Sequence, residues 1–158
     1  MPKPSPHPIP PGMHTLTPHL ICANALAAIE FYEKAFGARL ETRLMAPDGK
    51  MLMHAMLRIG DSAVMMAEEC PQWGSLGPQP GQPKSMVLHL YVEDADAFIE
   101  RAVAAGATLV MSATDMFWGD RYGQIDDPYG HRWSVATHKV DLTQEEIEEA
   151  LKKMPPGR

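Results

Sequence analysis

The feature that most constrains this chain is an order of elements that occurs twice. In the first half, Thr15 to Cys22 (TLTPHLIC) has the length and composition of a strand, with Thr15, Thr17, His19 and Ile21 on one face. Asn24 is placed to cap a helix from Ala25 to Phe36, because its side chain accepts from the first free backbone N–H groups. Ile29, Tyr32 and Phe36 form the apolar stripe of that helix, and Gly37 ends it. Arg39–Ala46 follows as a strand, Pro47-Asp48-Gly49-Lys50 as a hairpin turn, and Met51–Ile59 and Ser62–Glu68 as a strand pair across Gly60-Asp61. The second half restarts the series. Ser85–Val92 is a strand, Asp94 caps a helix to Ala105, Gly106 closes it, and Thr108–Met111 is a strand again.

The two helices also share a local pattern. Phe31-Tyr32-Glu33-Lys34-Ala35-Phe36 matches Phe98-Ile99-Glu100-Arg101-Ala102-Val103, and Gly-Ala follows each helix. A shared order joined to a shared pattern marks an internal duplication. It predicts an α+β fold of two βαβββ modules, residues 15–70 and 85–138. Between them, 71–84 (PQWGSLGPQPGQPK) has no period and reads as a linker or surface loop.

The second module ends in the richest stretch of the chain, Met116–His138 (MFWGDRYGQIDDPYGHRWSVATH). Pro128 presets one dihedral and Gly130 tolerates positive φ, so Asp127-Pro128-Tyr129-Gly130 is a turn. Arg121–Asp126 and His131–Thr137 flank it as paired strands. Asp126 and Asp127 read as turn formers. Asp120 and Arg121 either hold a polar substrate group, for which Arg supplies a planar fork of donors, or form an ion pair that shapes the loop. Phe117 and Trp118 either stack on a ligand or plug the interior.

Composition narrows the functions. The 158 residues carry a net charge of −6, with a pI near 5.6 and no Lys/Arg cluster, which argues against nucleic acid or an anionic membrane as partner. No apolar run approaches a membrane span. Residues 1–14 lack the apolar core of a secretory signal and read as a disordered Pro-rich arm. Cys22 and Cys70 have neither metal-type spacing nor the numbers for a crosslinked framework, so reduced thiols in a cytoplasmic protein are expected. The twelve Met residues suit either core filling or a pocket for an apolar ligand. No phosphate-binding glycine loop or nucleophile elbow is present. In the tail, 139–158, Thr143 and Glu146 form a capping box with Leu142 and Ile147 as staple. Ile147, Ala150, Leu151 and Met154 give that helix an apolar face, which is expected to dock on its own domain or on a partner subunit.

FYEKAFGA, PDGKMLMHAMLRIGDSAVMMAEE, LHLYVEDAD and FWGDRYGQIDDPYGHRWSVATH resemble the vicinal oxygen chelate superfamily, the glyoxalase, bleomycin-resistance and extradiol-dioxygenase group, and are most like its PhnB-like branch. The resemblance runs from Thr15 to His138. It implies that each module curls into an open funnel, that the chain forms a homodimer, and that a small molecule sits in the funnel of the paired modules. It also implies a divalent metal (Zn, Ni, Mn or Fe) held by His and carboxylate side chains, which polarises adjacent substrate oxygens as a Lewis acid.

Carried over position by position, the family's ligand positions fall at Thr17, Met66, Val87 and Ser134, none of them a good ligand for a catalytic divalent metal. His19, Glu68 and His89 each lie two residues further along the same strands, a step of about 7 Å that keeps the face. They form an alternative metal set, with His138 or His54 as a fourth member. Two functions are therefore expected, with a bare structural or interaction module as a weaker third. One is a metal-dependent lyase, isomerase or dioxygenase of the glyoxalase type using His19, Glu68 and His89. The other is a metal-free binding protein for an aromatic or peptide-like compound, walled by Phe117, Trp118, Tyr122 and the Met-rich strands. Thr17, His54, Met66, Asp120, Arg121 and Ser134 complete its expected ligand contacts.

Overall fold

A computed structural model, which describes residues 1–79 and 81–156, has eleven regular elements in chain order. They are β1 (His19–Cys22), α1 (Ala25–Phe36), β2 (Arg39–Met45), β3 (Leu52–Ile59), β4 (Ser62–Glu68), β5 (Val87–Tyr91), α2 (Ala95–Ala105), β6 (Thr108–Asp115), β7 (Asp120–Asp126), β8 (Arg132–His138) and α3 (Gln144–Lys152). The strands form two four-stranded sheets of identical topology, β1-β4-β3-β2 and β5-β8-β7-β6. In each, the first strand runs parallel to the last and the other pairs are antiparallel. This is the expected βαβββ repeat, and both sheets stay open, with β1 and β2, or β5 and β6, as free edges. The chain divides into two compact units, Met1–Glu33 with Gly37–Gly77, and Lys34–Phe36 with Pro78–Arg158.

Local signals set the elements where they were expected. The Asn24 side chain accepts from Ala27 N at 3.3 Å and that of Asp94 from Ala97 N at 3.0 Å, so each helix begins on its predicted cap. Gly37 closes α1 in the left-handed conformation. β1 is shorter than predicted. It begins at His19 because Pro18 has no N–H for the ladder, although its carbonyl still accepts from Met65 N at 2.8 Å. β6 is longer than predicted, running through Met111 to Asp115. Two register shifts against β7 absorb the extra residues.

Three segments lie outside the two repeated modules. Residues 71–84 hold one turn of 3-10 helix, Pro71–Trp73, closed by a Cys70–Ser75 bridge. Residues 1–14 have no helix or strand, yet Gly12 O accepts from Arg58 Nη1 at 3.1 Å. The capping box is present, with Thr143 N donating to Glu146 Oε2 at 2.8 Å, and Glu146 N to Thr143 Oγ1 at 3.2 Å. On the expected apolar face of α3, Ile147, Ala150 and Met154 are half-buried and Leu151 is exposed.

Each sheet has a buried and an open face, and the strand register sorts the side chains between them. In the first unit, Leu20, Cys22, Ala55, Leu57, Val64 and Met66 alternate onto the buried face. In the second, Leu88, Leu90, Trp133, Val135 and Ile125 point the same way. There α2 packs on β6, β7 and β8. Gly123 permits that approach, since a Cβ at this position would lie 2.6 Å from Ile99 Cδ1 and 2.8 Å from Met111 O.

Candidate functional site

The open face of the second sheet concentrates the chemistry. Residues paired across a ladder share a face, so His89, Ser134 and Gln124 form one row across β5, β8 and β7. Tyr91, Ala136 and Tyr122 form the next, and Asp120 with His138 ends the β7–β8 pair. The aromatic-rich segment supplies two of these three strands, which gives it its place in the site.

The rows are linked by hydrogen bonds and ring contacts. His89 Nδ1 lies 2.6 Å from Ser134 Oγ, whose side chain is buried. The His89 ring meets Tyr91 edge-on at 4.6 Å and lies 6.0 Å from Tyr122 at an angle of 18°. Gln124 Nε2 donates to the Tyr122 hydroxyl at 2.8 Å. Trp118, on the loop between β6 and β7, stands edge-on to Tyr122 at 5.4 Å and to Phe117 at 5.0 Å.

Asp120 is the hub of the polar groups. Although 5% exposed, it accepts from Trp118 Nε1 at 3.1 Å and the Tyr91 hydroxyl at 3.3 Å, and its Oδ1 lies 2.7 Å from His138 Nδ1. Its negative charge, with some burial, raises the Tyr91 pKa above the ordinary phenol value. Hydrogen bonds from the His138 ring to Asp141 and then to Asp120 raise the His138 pKa. Tyr91, Val92, Glu93, Thr137 and His138 border a shallow recess of about 470 Å³ beside this hub. The arrangement offers flat aromatic surface, a neutral hydroxyl and amide centre, and a charged rim.

The first sheet's open face is different. His19, Ile21, His54, Met56, Met65 and Ala67 share it by register. The His19 and His54 rings meet edge-on at 5.9 Å, and burial, then the charge of His54, lowers the His19 pKa.

Against the sequence expectations, His54, His89, Asp120, Tyr122 and Ser134 stand on open faces, Phe117 and Trp118 on the adjoining loop, and Thr17 just before β1. Three expectations need correcting. Met66 is wholly buried and faces the core rather than the open face. Glu68 shares the Met66 face, because His19 pairs with Met65 and Glu68 with Cys22. Its Oε2 accepts from Ala25 N at 2.9 Å, at the start of α1. Arg121 points to the α2 side, where its guanidinium pairs with Asp96 and, at 3.2 Å, with Asp115. Arg121 does form ion pairs, but with Asp96 and Asp115 rather than with Asp120, which stands on the opposite face. Tyr91 and Gln124 share the open face, although the sequence reading named neither as a site residue. The signal that finds them is the parity of β5 and β7 against Ser134 and Tyr122.

A divalent metal does not fit these donors. His19 and Glu68 lie on opposite faces of one sheet, and the Glu68 carboxylate is engaged by a backbone N–H. Among the described residues, no three His, Cys, Asp or Glu side chains gather as a cation site.

Two βαβββ modules with open mixed sheets are the architecture of the glyoxalase class of α+β proteins. The chain belongs to the glyoxalase/bleomycin resistance protein/dioxygenase superfamily, whose family model matches residues 12–135. An uncharacterised Mycobacterium bovis protein is 41% identical over 145 residues, covering 90% of this chain and 95% of the relative. Among solved structures, TioX from Micromonospora sp. ML1 is similar with a TM-score of 0.61 and 25% identity, over 79% of this chain and 98% of that one. The PhnB protein of Bacillus cereus, at 15% identity and a TM-score of 0.60 over 78% of this chain and 99% of that one, shares the fold. No helix among the described residues is long and apolar enough to cross a membrane.

Proposed function

We propose that this chain is a small-molecule-binding protein that holds a planar aromatic compound on the open face of β5-β8-β7-β6. The carrying observation is the row His89–Ser134–Gln124. At the position where the resemblance calls for a metal-binding carboxylate, Ser134 instead hydrogen-bonds His89, and Tyr91, Tyr122 and Trp118 surround the pair with ring surface. His89 and the Tyr and Trp rings supply the stacking area. Ser134, Gln124 and the Tyr91–Asp120–His138 group orient the polar edge of the ligand. The same reading has the protein act as a cytoplasmic homodimer, an assembly that sedimentation velocity measures directly.

The test is saturable quenching of tryptophan fluorescence by bleomycin and by 2-naphthoic acid in a Trp73→Phe background, where Trp118 and the buried Trp133 remain and Trp118 is the reporter a ligand can reach. Micromolar binding that His89→Ala and Trp118→Ala weaken by about tenfold or more, equivalent to about 1.4 kcal/mol, is the expected result. Trp118→Ala is followed by calorimetry, since it removes the reporter. Failure of both compounds to bind, together with stoichiometric uptake of Zn²⁺, Ni²⁺, Mn²⁺ or Fe²⁺ that His89→Ala abolishes, overturns the proposal in favour of a metal-dependent enzyme.

A further inference from the structure

The open face of the first sheet carries soft donors and no carboxylate on β1, β3 or β4. His19 stands opposite Met65, and Met65 opposite Met56, so one imidazole and two thioethers lie side by side across three strands. Neighbouring strands are about 4.8 Å apart, within the reach of these side chains to a shared ion. His54, two residues before Met56, shares the face, and its ring meets that of His19 at 5.9 Å.

The N-terminal arm adds two more donors of the same kind. Met13 and His14 line, with Thr17, Met65 and the Pro8–Pro10 stretch, a recess of about 400 Å³. Arg58 ties the arm there through Gly12 O, and its own charge is met by Glu41, which accepts from Nε at 3.2 Å and Nη2 at 3.1 Å. Arg58 itself stands on this face, two residues after Met56, and its charge is thus already paired.

Thioether sulfur and imidazole nitrogen are poor ligands for hard, oxygen-seeking cations and good ones for a soft monovalent ion. An apolar cover alone would need neither His19 nor His54. We propose that His19, His54 and Met65 form a binding site for Cu(I), with Met13 and His14 of the arm closing over it. All of these residues lie within the first unit.

The test uses the full chain under anaerobic conditions with ascorbate. Cu(I) affinity is read by competition with bathocuproine disulfonate, and Ag⁺ serves as a redox-inert probe in spectra of ¹³C-methyl-labelled Met. One equivalent of ion should move the Met65 methyl resonance. Met65→Leu, which nearly conserves volume, and His54→Ala should each weaken Cu(I) binding by about tenfold or more. Cys70→Ser, which removes the half-buried thiol, should leave it unchanged. An unmoved Met65 methyl overturns the site, as does Cu(I) binding that survives Met65→Leu and is lost in Cys70→Ser.

Discussion

Nδ1 of His138 lies 2.7 Å from Oδ1 of Asp120, at the end of the β7–β8 pair. The other ring nitrogen, Nε2, lies 2.7 Å from Oδ1 of Asp141, on the segment leading to α3. A ring that faces a carboxylate at each nitrogen donates to both only as the imidazolium. Site and tail are therefore joined through one proton.

That proton sets a pH dependence. The hydrogen bonds to Asp141 and Asp120 hold the His138 pKa above its ordinary value of about 6.5. The stabilisation is thus fully present below about 6.5 and is lost as pH rises through the raised folded value. His138 Cε1–H resonances should titrate above the ordinary histidine range, and Asp141→Asn should move the midpoint down. In His138→Gln this part of the stability–pH profile should be flat. A ring that titrates at or below the ordinary value would contradict the double donation.

The same segment depends on Gly119. Its carbonyl accepts from Lys139 N and Val140 N, each at 3.0 Å. Its φ is +100°, and a Cβ there would lie 2.3 Å from Val140 O. Gly119→Ala should cost about 2–3 kcal/mol in urea unfolding, through strain and displacement of the chain after β8. The Lys139 and Val140 amides should lose hydrogen-exchange protection in the same variant.

Asp127 organises the final hairpin from inside. Its Oδ1 accepts from Tyr129 N at 2.9 Å and His131 N at 3.0 Å, and its Oδ2 from Trp133 Nε1 at 2.8 Å. Asp127→Ala would strand these donors around a carboxylate position that is 5% exposed, for a loss of about 2–4 kcal/mol. Asp127→Asn should cost less, because the Oδ1 acceptor for the turn is retained. Equal destabilisation by the two would show that charge, rather than acceptor geometry, holds the turn.

The repeat was legible because each of its parts carries a local signal. Asn24 and Asp94 start helices, Gly37 and Gly106 end them, and Thr143 with Glu146 announces α3. None of these needs a distant partner. The faces of the strands were legible only within each strand. Parity correctly put Glu68 with Met66, but which β4 residue stands beside His19 depends on pairing between chain segments more than forty residues apart. Arg121 was ambiguous for a related reason, since its partner Asp96 sits on α2, 25 residues away. The Asp120 hub combines β5, β7, β8 and a loop, so no single motif displays it.

Glu68 gives the sharpest separation between a structural and a metal-binding carboxylate. Its Oε2 receives Ala25 N at 2.9 Å while Asn24 receives Ala27 N, so two side chains divide the free N–H groups at the start of α1. A helix capped twice should weaken by about 1 kcal/mol in Glu68→Ala, and by less in Glu68→Gln, which keeps an acceptor oxygen. Denaturant midpoints measure both, and exchange of the Ala25 amide reports the cap itself. Because Glu68 lies on the face opposite His19, neither substitution should change metal uptake. Loss of divalent metal binding in Glu68→Gln with an unchanged midpoint would return the carboxylate to a metal site and refute the capping role.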